Sequence, residues 1–535
     1  MIDERKPVLI VGAGGAGLSL ALLLLQQGIR PVLVEQRAQV SWYPRARNLN
    51  FRSMEIFRAL GLADEIRTAG ARVSRIVGRQ QLASPEEKEL LNPASLLDTT
   101  AFSPEPYQWY CPQSRLEPIL VAAARRGGAD VRYATELVNF IQEEHEVIAD
   151  LKDHSTGDSY TLRAQFLAGC DGTHSAIREA LRVPVLGEGP LDEHYVFIYF
   201  RAAWDELIRG HEADAFLIEN ADVHGMFLVA EKDLGMFVLR TPAPEQIGAF
   251  TRERCQELLT KAIGKPTLAV DIIEVVPWRP VQSVAERFQI GNVFLVGDSA
   301  HTMPAKEGLG VNSAIQGAQN LGWKLASVLN RHASRELLST YTTERQPVAW
   351  FSAQHSLTGP AAALIEGVPL AQKESEFFPT VGYRYSSQAI LSEDGPLPPS
   401  GRVVLLDRGE LTGIPGTRVP HVWLARGSAR VSTLDLLNGD FVLLTGVAGA
   451  DWCEAALRLS HSIGVRISAY RIGPAADLCD PAGDWAAKMG ILPEGTILLR
   501  PDGFVAWRCR DAASEPEVLL GQAIKGILCR VENAG

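Results

Sequence analysis

The run Gly12-Ala13-Gly14-Gly15-Ala16-Gly17 restricts the fold of this chain more than any other feature. It follows 7–11, a short apolar stretch of strand character, and precedes 18–27, which reads as a helix. Residues 31–34 read as a second strand, ended by Glu35. Strand, GxGxxG, helix, strand and acid within about 30 residues is the spacing of a dinucleotide-binding unit. Gly12 permits the tight turn, Gly14 lets a pyrophosphate approach the backbone, and Gly17 lets the helix pack closely on the strand. Unpaired N–H groups at the helix start face the phosphates. Glu35 can accept both hydrogen bonds of a ribose diol and would repel a 2′-phosphate. The alternative is a plain glycine-rich turn.

The stretch 8–25 is also uncharged and long enough to resemble a signal peptide or a membrane span. The residues before it, Asp3, Glu4, Arg5 and Lys6, are charge-balanced, whereas a signal needs a basic flank. Glycines interrupt the run, so the expectation is a cytoplasmic protein with no membrane span. The 535 residues ask for two or three domains, and 46% hydrophobic with 21% charged residues is a globular composition. A net charge of −11 disfavours nucleic acid as a partner. The 7 cysteines contain no CxxC pair, so neither a metal site nor a disulfide framework is expected.

Further along, Asp171-Gly172 follows a strand-like run and precedes Ser175, a helix-start residue; a simple strand–turn–helix connection explains it equally well. Between 191 and 276 strand-like runs rich in Phe, Tyr, Val and Met suggest an antiparallel sheet with a helix at 252–263. A second glycine constellation follows the apolar strand 292–296: Gly297-Asp298, then Pro304, Gly308, Gly310, Val311 and Asn312 at the start of a helix. Ligands of open α/β sheets bind at such strand ends, and a helix N-terminus favours negative charge. Two glycine motifs far apart in sequence, each at a strand end, suggest one extended cofactor touching both. FAD, with a dinucleotide at one end and an isoalloxazine at the other, has that shape.

With these motifs in order, the chain resembles the class A flavoprotein aromatic hydroxylases, in their polyketide hydroxylase-like branch. GAGGAG with Glu35, GCDGTHSAIR at 169–178 and GDSAHTMP at 297–304 are similar to that family's three motifs. Tyr43-Pro44-Arg45-Ala46 and Gln113-Ser114-Arg115-Leu116 are similar to its arginine loop and its glutamine segment. The resemblance implies FAD contacts from Arg45, Gln113, Asp171, Asp298, Pro304, Gly308, Gly310, Val311 and Asn312. Other readings are a solvated cation for Arg45, a turn residue for Asp171 and a helix cap for Asn312. The sequence departs at 304–308, Pro-Ala-Lys-Glu-Gly, where the family has Pro-Pro-x-Gly-Gly. Segments such as 415–421, 432–436 and 499–508 also resemble that branch, whose C-terminal domain is thioredoxin-like without a redox pair.

The implied fold is α/β and α+β. A discontinuous Rossmann-like FAD domain (1–184 and 277–355) contains an inserted antiparallel-sheet substrate domain (185–276). A linker (356–400) leads to a thioredoxin-like C-terminal domain (401–535). The implied activity is monooxygenation of a phenolic or polycyclic, polyketide-like aromatic by NAD(P)H and O2 through a flavin C4a-hydroperoxide. No second GxGxxG offers NAD(P)H its own fold. Candidate substrate-base residues are His194, Tyr199 and His224, although a histidine in such a sheet is more often structural or exposed; His301 reads as a packing residue. The remaining expectations are no metal, no nucleic acid, no membrane, and a monomer or homodimer. A different chemistry on the same fold, with flavin used structurally or in cyclisation, is the alternative; a pure binding module is a third reading.

Overall fold

The computed structural model describes residues 4–72, 75–92, 97–229, 233–241, 248–359, 377–392, 397, 403–406 and 410–530. Much of the expected linker lies outside them. The first sheet has a parallel centre ordered Val293–Leu295, Ser159–Gly169, Glu4–Val11, Val32–Val34, Asp130–Arg132. The inner parts of the central strands, residues 8–11, 166–168 and 293–295, are apolar because both faces are covered. Helix Gly15–Gln26 is wedged between the sheet and helix Leu309–Leu329, with Leu18 through Leu24 buried. The apolar run 8–25 therefore divides into a buried strand and a buried helix. Among the described residues no helix is long and apolar enough to cross a membrane.

The second sheet has seven strands, ordered Asp271–Trp278, His194–Arg201, Leu234–Thr241, His224–Val229, Ala215–Glu219, Ile76–Arg79, Lys88–Leu91. It extends beyond the segment expected from sequence, because Ala215–Glu219 pairs in parallel with Ile76–Arg79. Residues 76–91 thus join this sheet rather than the first. Alternation sends Val196, Ile198 and Phe200 to one face, where helix Arg252–Ile263 covers them with Cys255, Leu258, Leu259 and Ala262. That helix starts at Thr251, whose hydroxyl accepts from Arg254 N–H, and stops at Gly264, φ +75°. The opposite face carries Tyr199, against which Trp42 and Tyr43 of the loop after Val32–Val34 pack. A short sheet of Val185–Pro190, Val281–Ala285 and His301–Thr302 connects the two bodies.

The C-terminal part is a four-stranded sheet ordered Ile467–Ile472, Phe441–Gly446, Thr496–Leu499, Val505–Cys509. The first pair is parallel and crosses over through helix Ala450–Ile463, which packs with Pro516–Ile527 on one face. This is a thioredoxin-like arrangement. Gly503, φ +81°, lies in the connection between the last two strands. All seven cysteines are free thiols, and burial pushes Cys453, in the first turn of that helix, up to about 11. A thiol so raised is a poor nucleophile.

Candidate active site

Four parallel strands end side by side, and their first loop residues are cross-linked by main-chain bonds. Gly12 N–H donates to Val34 O at 2.8 Å, Cys170 N–H to Val11 O at 2.8 Å, Val296 N–H to Gly169 O at 2.9 Å, and Glu35 N–H to Arg132 O at 2.9 Å. The three sequence motifs thus meet at one sheet edge. Gly12, φ +110°, faces the Cys170 carbonyl, and a Cβ on Gly17 would strike the Gly12 carbonyl, so both are fixed by packing. Gly14 differs. It precedes helix Gly15–Gln26 with extended backbone and no side-chain cap. A Cβ there would have one neighbour within 4 Å, Glu117 Oε1 at 3.8 Å.

Glu35 is buried and accepts from Ala13 N–H at 2.9 Å and from Arg37 N at 3.0, Nε at 2.9 and Nη2 at 3.1 Å. Burial opposes ionisation, but these bonds prevail and hold its carboxyl below the ordinary value. Its reach to a ribose would require Arg37 to yield. Asp171 receives Ser175 Oγ at 2.6 Å and Ile177 N–H at 3.1 Å, so its carboxylate caps helix Ala176–Ala180. Asp298 is open to solvent yet set among protein: burial raises its carboxyl pKa, while Arg45 and the Thr173 hydroxyl oppose the rise. That combination marks the floor of a cleft.

Arg45 is exposed, forms no ion pair among the described residues, and lies 5.3 Å over the Tyr43 ring. Its charge acts on Asp298, Tyr199, Tyr43 and Glu117 together. The loop carrying it is held by Cys111 N–H to Arg47 O and Gln113 N–H to Ala46 O, both 2.7 Å. Gln113 donates through Nε2 to Glu117 Oε1.

Helix Leu309–Leu329 begins after Gly308, φ +66°, and points its N-terminus at the same cleft. A Cβ on Gly310 would meet nothing within 4 Å, whereas one on Gly15 would meet Val311 Cγ2 at 3.1 Å. Asn312 is saturated: Oδ1 accepts from Asn50 N–H at 2.9 Å and Ser53 Oγ at 2.6 Å, and Nδ2 donates to Asn48 O at 3.0 Å and Gly308 O at 2.8 Å. It pins 48–53 to the helix start. Pro304 is buried. In the divergent loop, Lys306 Nζ donates to Glu193 Oε1 at 2.9 Å, and Glu193 also accepts from Tyr195 Oη at 2.6 Å.

Register defines the exposed face of the second sheet. Leu217, Met226, Val238, Phe197 and Val276 lie abreast on five neighbouring strands, each partly exposed. On one side runs a row of Glu219, His224, Arg240, Tyr195 and Trp278; on the other, Ala215, Leu228, Met236, Tyr199 and Glu274. Tyr199 makes no hydrogen bond among the described residues, and burial pushes its phenol up to about 12, against Arg45. Beside it, Tyr43 Oη donates to Glu274, and Trp42 and Tyr43 meet the Tyr199 ring at 5.7 and 5.4 Å. His224 shares the face but lies about 13 Å from the Tyr199 row along the strands. His194 alternates with Tyr195, on the side of the Val196 core, and is buried. His301 is buried, and burial lowers its pKa to about 3, so its imidazole is neutral. Sequence patterning gave no signal for Glu274 or the Lys306–Glu193 pair, whose partners are remote in the chain, nor for Glu117, whose neighbour across the fold is Gly14.

The cleft suits a long anionic dinucleotide: a bare Gly14 cradle, a helix N-terminus with an open Gly310, and, among the described residues, an Arg45 without an ion pair and a buried Glu117 oxygen without a hydrogen-bond partner. No cluster that could hold a metal occurs among the described residues. Residues 5–356 match the FAD binding domain family, and 412–530 match the aromatic-ring hydroxylase C-terminal family. The 4-methyl-5-nitrocatechol 5-monooxygenase of Burkholderia sp is 36% identical, over 99% of this chain and 98% of its own. Tetracenomycin A2 monooxygenase-dioxygenase of Streptomyces glaucescens is 35% identical, over 99% and 98%. The structure of aklavinone-11 hydroxylase with FAD and aklavinone superposes with a TM-score of 0.87 at 32% identity, covering 99% of this chain and 100% of that one. By its fold, its three converging motifs and these matches, the chain belongs to the class A FAD-dependent aromatic hydroxylases.

Proposed function

We propose that this FAD-dependent monooxygenase hydroxylates a flat phenolic aromatic, including polycyclic ones, laid across the second sheet. The observation that carries the reading is the apolar row Leu217, Met226, Val238, Phe197 and Val276, a floor five strands wide with polar residues on both flanks. Flat apolar faces with a few placed polar groups are the usual makings of an aromatic site. One relative is named for 4-methyl-5-nitrocatechol, itself a phenol.

Bound FAD, reduced by NAD(P)H, supplies the activation of O2. The chain supplies position and protons. Tyr199 keeps its proton at neutral pH, so it acts as a donor to a substrate oxygen. Glu274, its cross-strand neighbour, is the carboxylate we assign to take a phenol proton, oriented by Tyr43. Trp42 and Tyr43 cover this end and keep water out. Gly14, Arg45, Gln113, Asp298 and Gly310 line the FAD cleft, and Asn312 positions it. Free thiols throughout fit a reducing compartment, the cytoplasm.

The test is anaerobic reduction of the purified holoprotein by NADPH with a panel of mono- and polycyclic phenols, followed by product analysis after air is admitted. At least one phenol should accelerate reduction and gain one oxygen atom. If none does either, the hydroxylase substrate reading fails. With an active phenol, Tyr199→Phe should lower kcat/KM about 100-fold, and Glu274→Gln should lower kcat by a similar factor.

A further inference from the structure

The sequence motifs do not include Glu117, yet it is the group nearest the bare face of the dinucleotide turn. It lies in the second turn of helix Gln113–Arg126 and is completely buried. Oε1 accepts from Gln113 Nε2 and stands 3.8 Å from the position a Gly14 Cβ would take. Oε2 is buried and has no hydrogen-bond partner among the described residues. An unpartnered buried carboxyl oxygen is costly to a fold, and the bare Gly14 beside it is where a phosphate approaches the backbone.

We propose that Glu117 is a cofactor-binding residue that holds FAD as a neutral acid, donating its own proton to a pyrophosphate oxygen at Gly14, so that FAD binding carries a proton with it. The helix N-terminus supplies N–H donors to the same group, but a carboxylate there would repel the dianion. Only the protonated form completes the site. No bond to carbon or phosphorus changes: one proton moves from solvent to a Glu117 carboxylate oxygen as FAD enters.

The charged surroundings agree. Burial raises the Glu117 pKa, and Glu35, on the loop after strand Val32–Val34, raises it further. The Gln113 hydrogen bond and the charges of Arg37 and Arg45 pull it down without cancelling the rise. Tyr133, from the other side, is itself pushed up to about 12 by burial and the two carboxylates, so it stays neutral. An approaching pyrophosphate adds negative charge and must raise the Glu117 pKa again. By linkage, FAD affinity is then highest below the free-state pKa and falls as pH rises toward the bound-state pKa.

The experiment titrates apoprotein with FAD by fluorescence quenching from pH 5.5 to 8.5, for wild type, Glu117→Gln and Glu117→Leu. In wild type the Kd should rise with pH, by up to tenfold per unit. Glu117→Gln, whose amide donates without titrating, should bind tightly with a flat profile. Glu117→Leu should bind about tenfold more weakly at pH 5.5, also flat. Calorimetry in buffers of differing ionisation enthalpy should find proton uptake on FAD binding in wild type, which does not depend on either variant folding. A flat wild-type profile without uptake at any pH overturns the proposal. So does a wild-type slope retained in Glu117→Gln, or undiminished binding by Glu117→Leu. The inference uses FAD binding alone, so failure of the phenol reading leaves it standing and its own failure leaves that reading intact.

Discussion

Arg500 clasps Glu344 with both guanidinium arms, Nη1 to Oε1 at 2.6 Å and Nη2 to Oε2 at 3.0 Å, and neither side chain touches solvent. The pair joins the C-terminal part to helix Thr340–Thr358. Around it, Lys324 Nζ reaches Glu344 at 2.8 Å, Asp502 reaches Arg500 at 2.6 Å, and Arg52 donates to the Asp502 carbonyl at 2.8 Å. Two cations balance two anions at the centre, so the cluster is satisfied only while all parts remain. Removing one partner strands a buried charge. Arg500→Met is expected to cost about 3–5 kcal/mol in urea unfolding, and Arg500→Met with Glu344→Met less than the sum of the singles. The cations hold the Glu344 carboxyl far below its ordinary 4.5 against burial. A depressed carboxylate adds stability above pH 4.5 that is lost as pH falls through its folded value. Wild type should therefore lose stability steeply below pH 4.5, and Glu344→Gln should show a shallower acid limb from a lower plateau.

The glycines of the first turn separate by role. Gly12→Ala places a Cβ against the Cys170 carbonyl at a positive φ, so it should lower the melting temperature of apo and holo protein alike. Gly14→Ala adds a Cβ whose one neighbour within 4 Å is Glu117 Oε1 at 3.8 Å, at a φ of −83° that any residue adopts. Its apoprotein should melt near wild type while FAD binding is lost. Melting curves with and without added FAD distinguish the two.

Arg45→Gln tests the unpaired cation. Exposed and without an ion pair among the described residues, Arg45 should contribute within about 0.5 kcal/mol to stability. A charge-assisted bond to an anionic cofactor is worth about 1.5–3 kcal/mol. The variant is thus expected to fold normally and to bind FAD about tenfold more weakly or worse, by equilibrium dialysis. Unchanged FAD affinity would return Arg45 to the role of a solvated loop cation.

What the sequence made legible was local. Gly12, Gly14 and Gly17 announce a turn through spacing alone, because the strand, turn and helix that need them are neighbours in the chain. Helix Arg252–Ile263 is likewise framed by Thr251 and Gly264. Residue roles that depend on remote partners were not readable. Asn312 sits at the expected helix start, yet whether it faces a ligand or staples 48–53 depends on Asn50 and Ser53, some 260 positions away. Strand Ile76–Arg79 joins the second sheet only through its pairing with Ala215–Glu219. Glu117 looks like any polar residue of an amphipathic helix until Gly14 is placed opposite it.

The divergent loop 304–308 offers the last test. A loop that lacks a second proline is less restricted in φ, and here Lys306 fastens it to Glu193, at the entrance of the strand that carries Tyr199. Side-chain exposures of 6% and 16% place the pair between surface and buried classes, so breaking it should cost about 1–3 kcal/mol. The larger consequence is positional. The loop also carries Pro304 and leads into Gly308 and Gly310, proposed above to lie at the FAD cleft, so the ion pair is expected to set how the proposed cofactor and substrate sides meet. Lys306→Met should retain FAD but waste reducing equivalents, producing more hydrogen peroxide per NAD(P)H consumed with an accepted phenol. The exchange Glu193→Lys with Lys306→Glu restores the attraction and should recover part of the coupling. Equal peroxide yields in wild type and Lys306→Met would mean that the pair stabilises the fold without aligning the site.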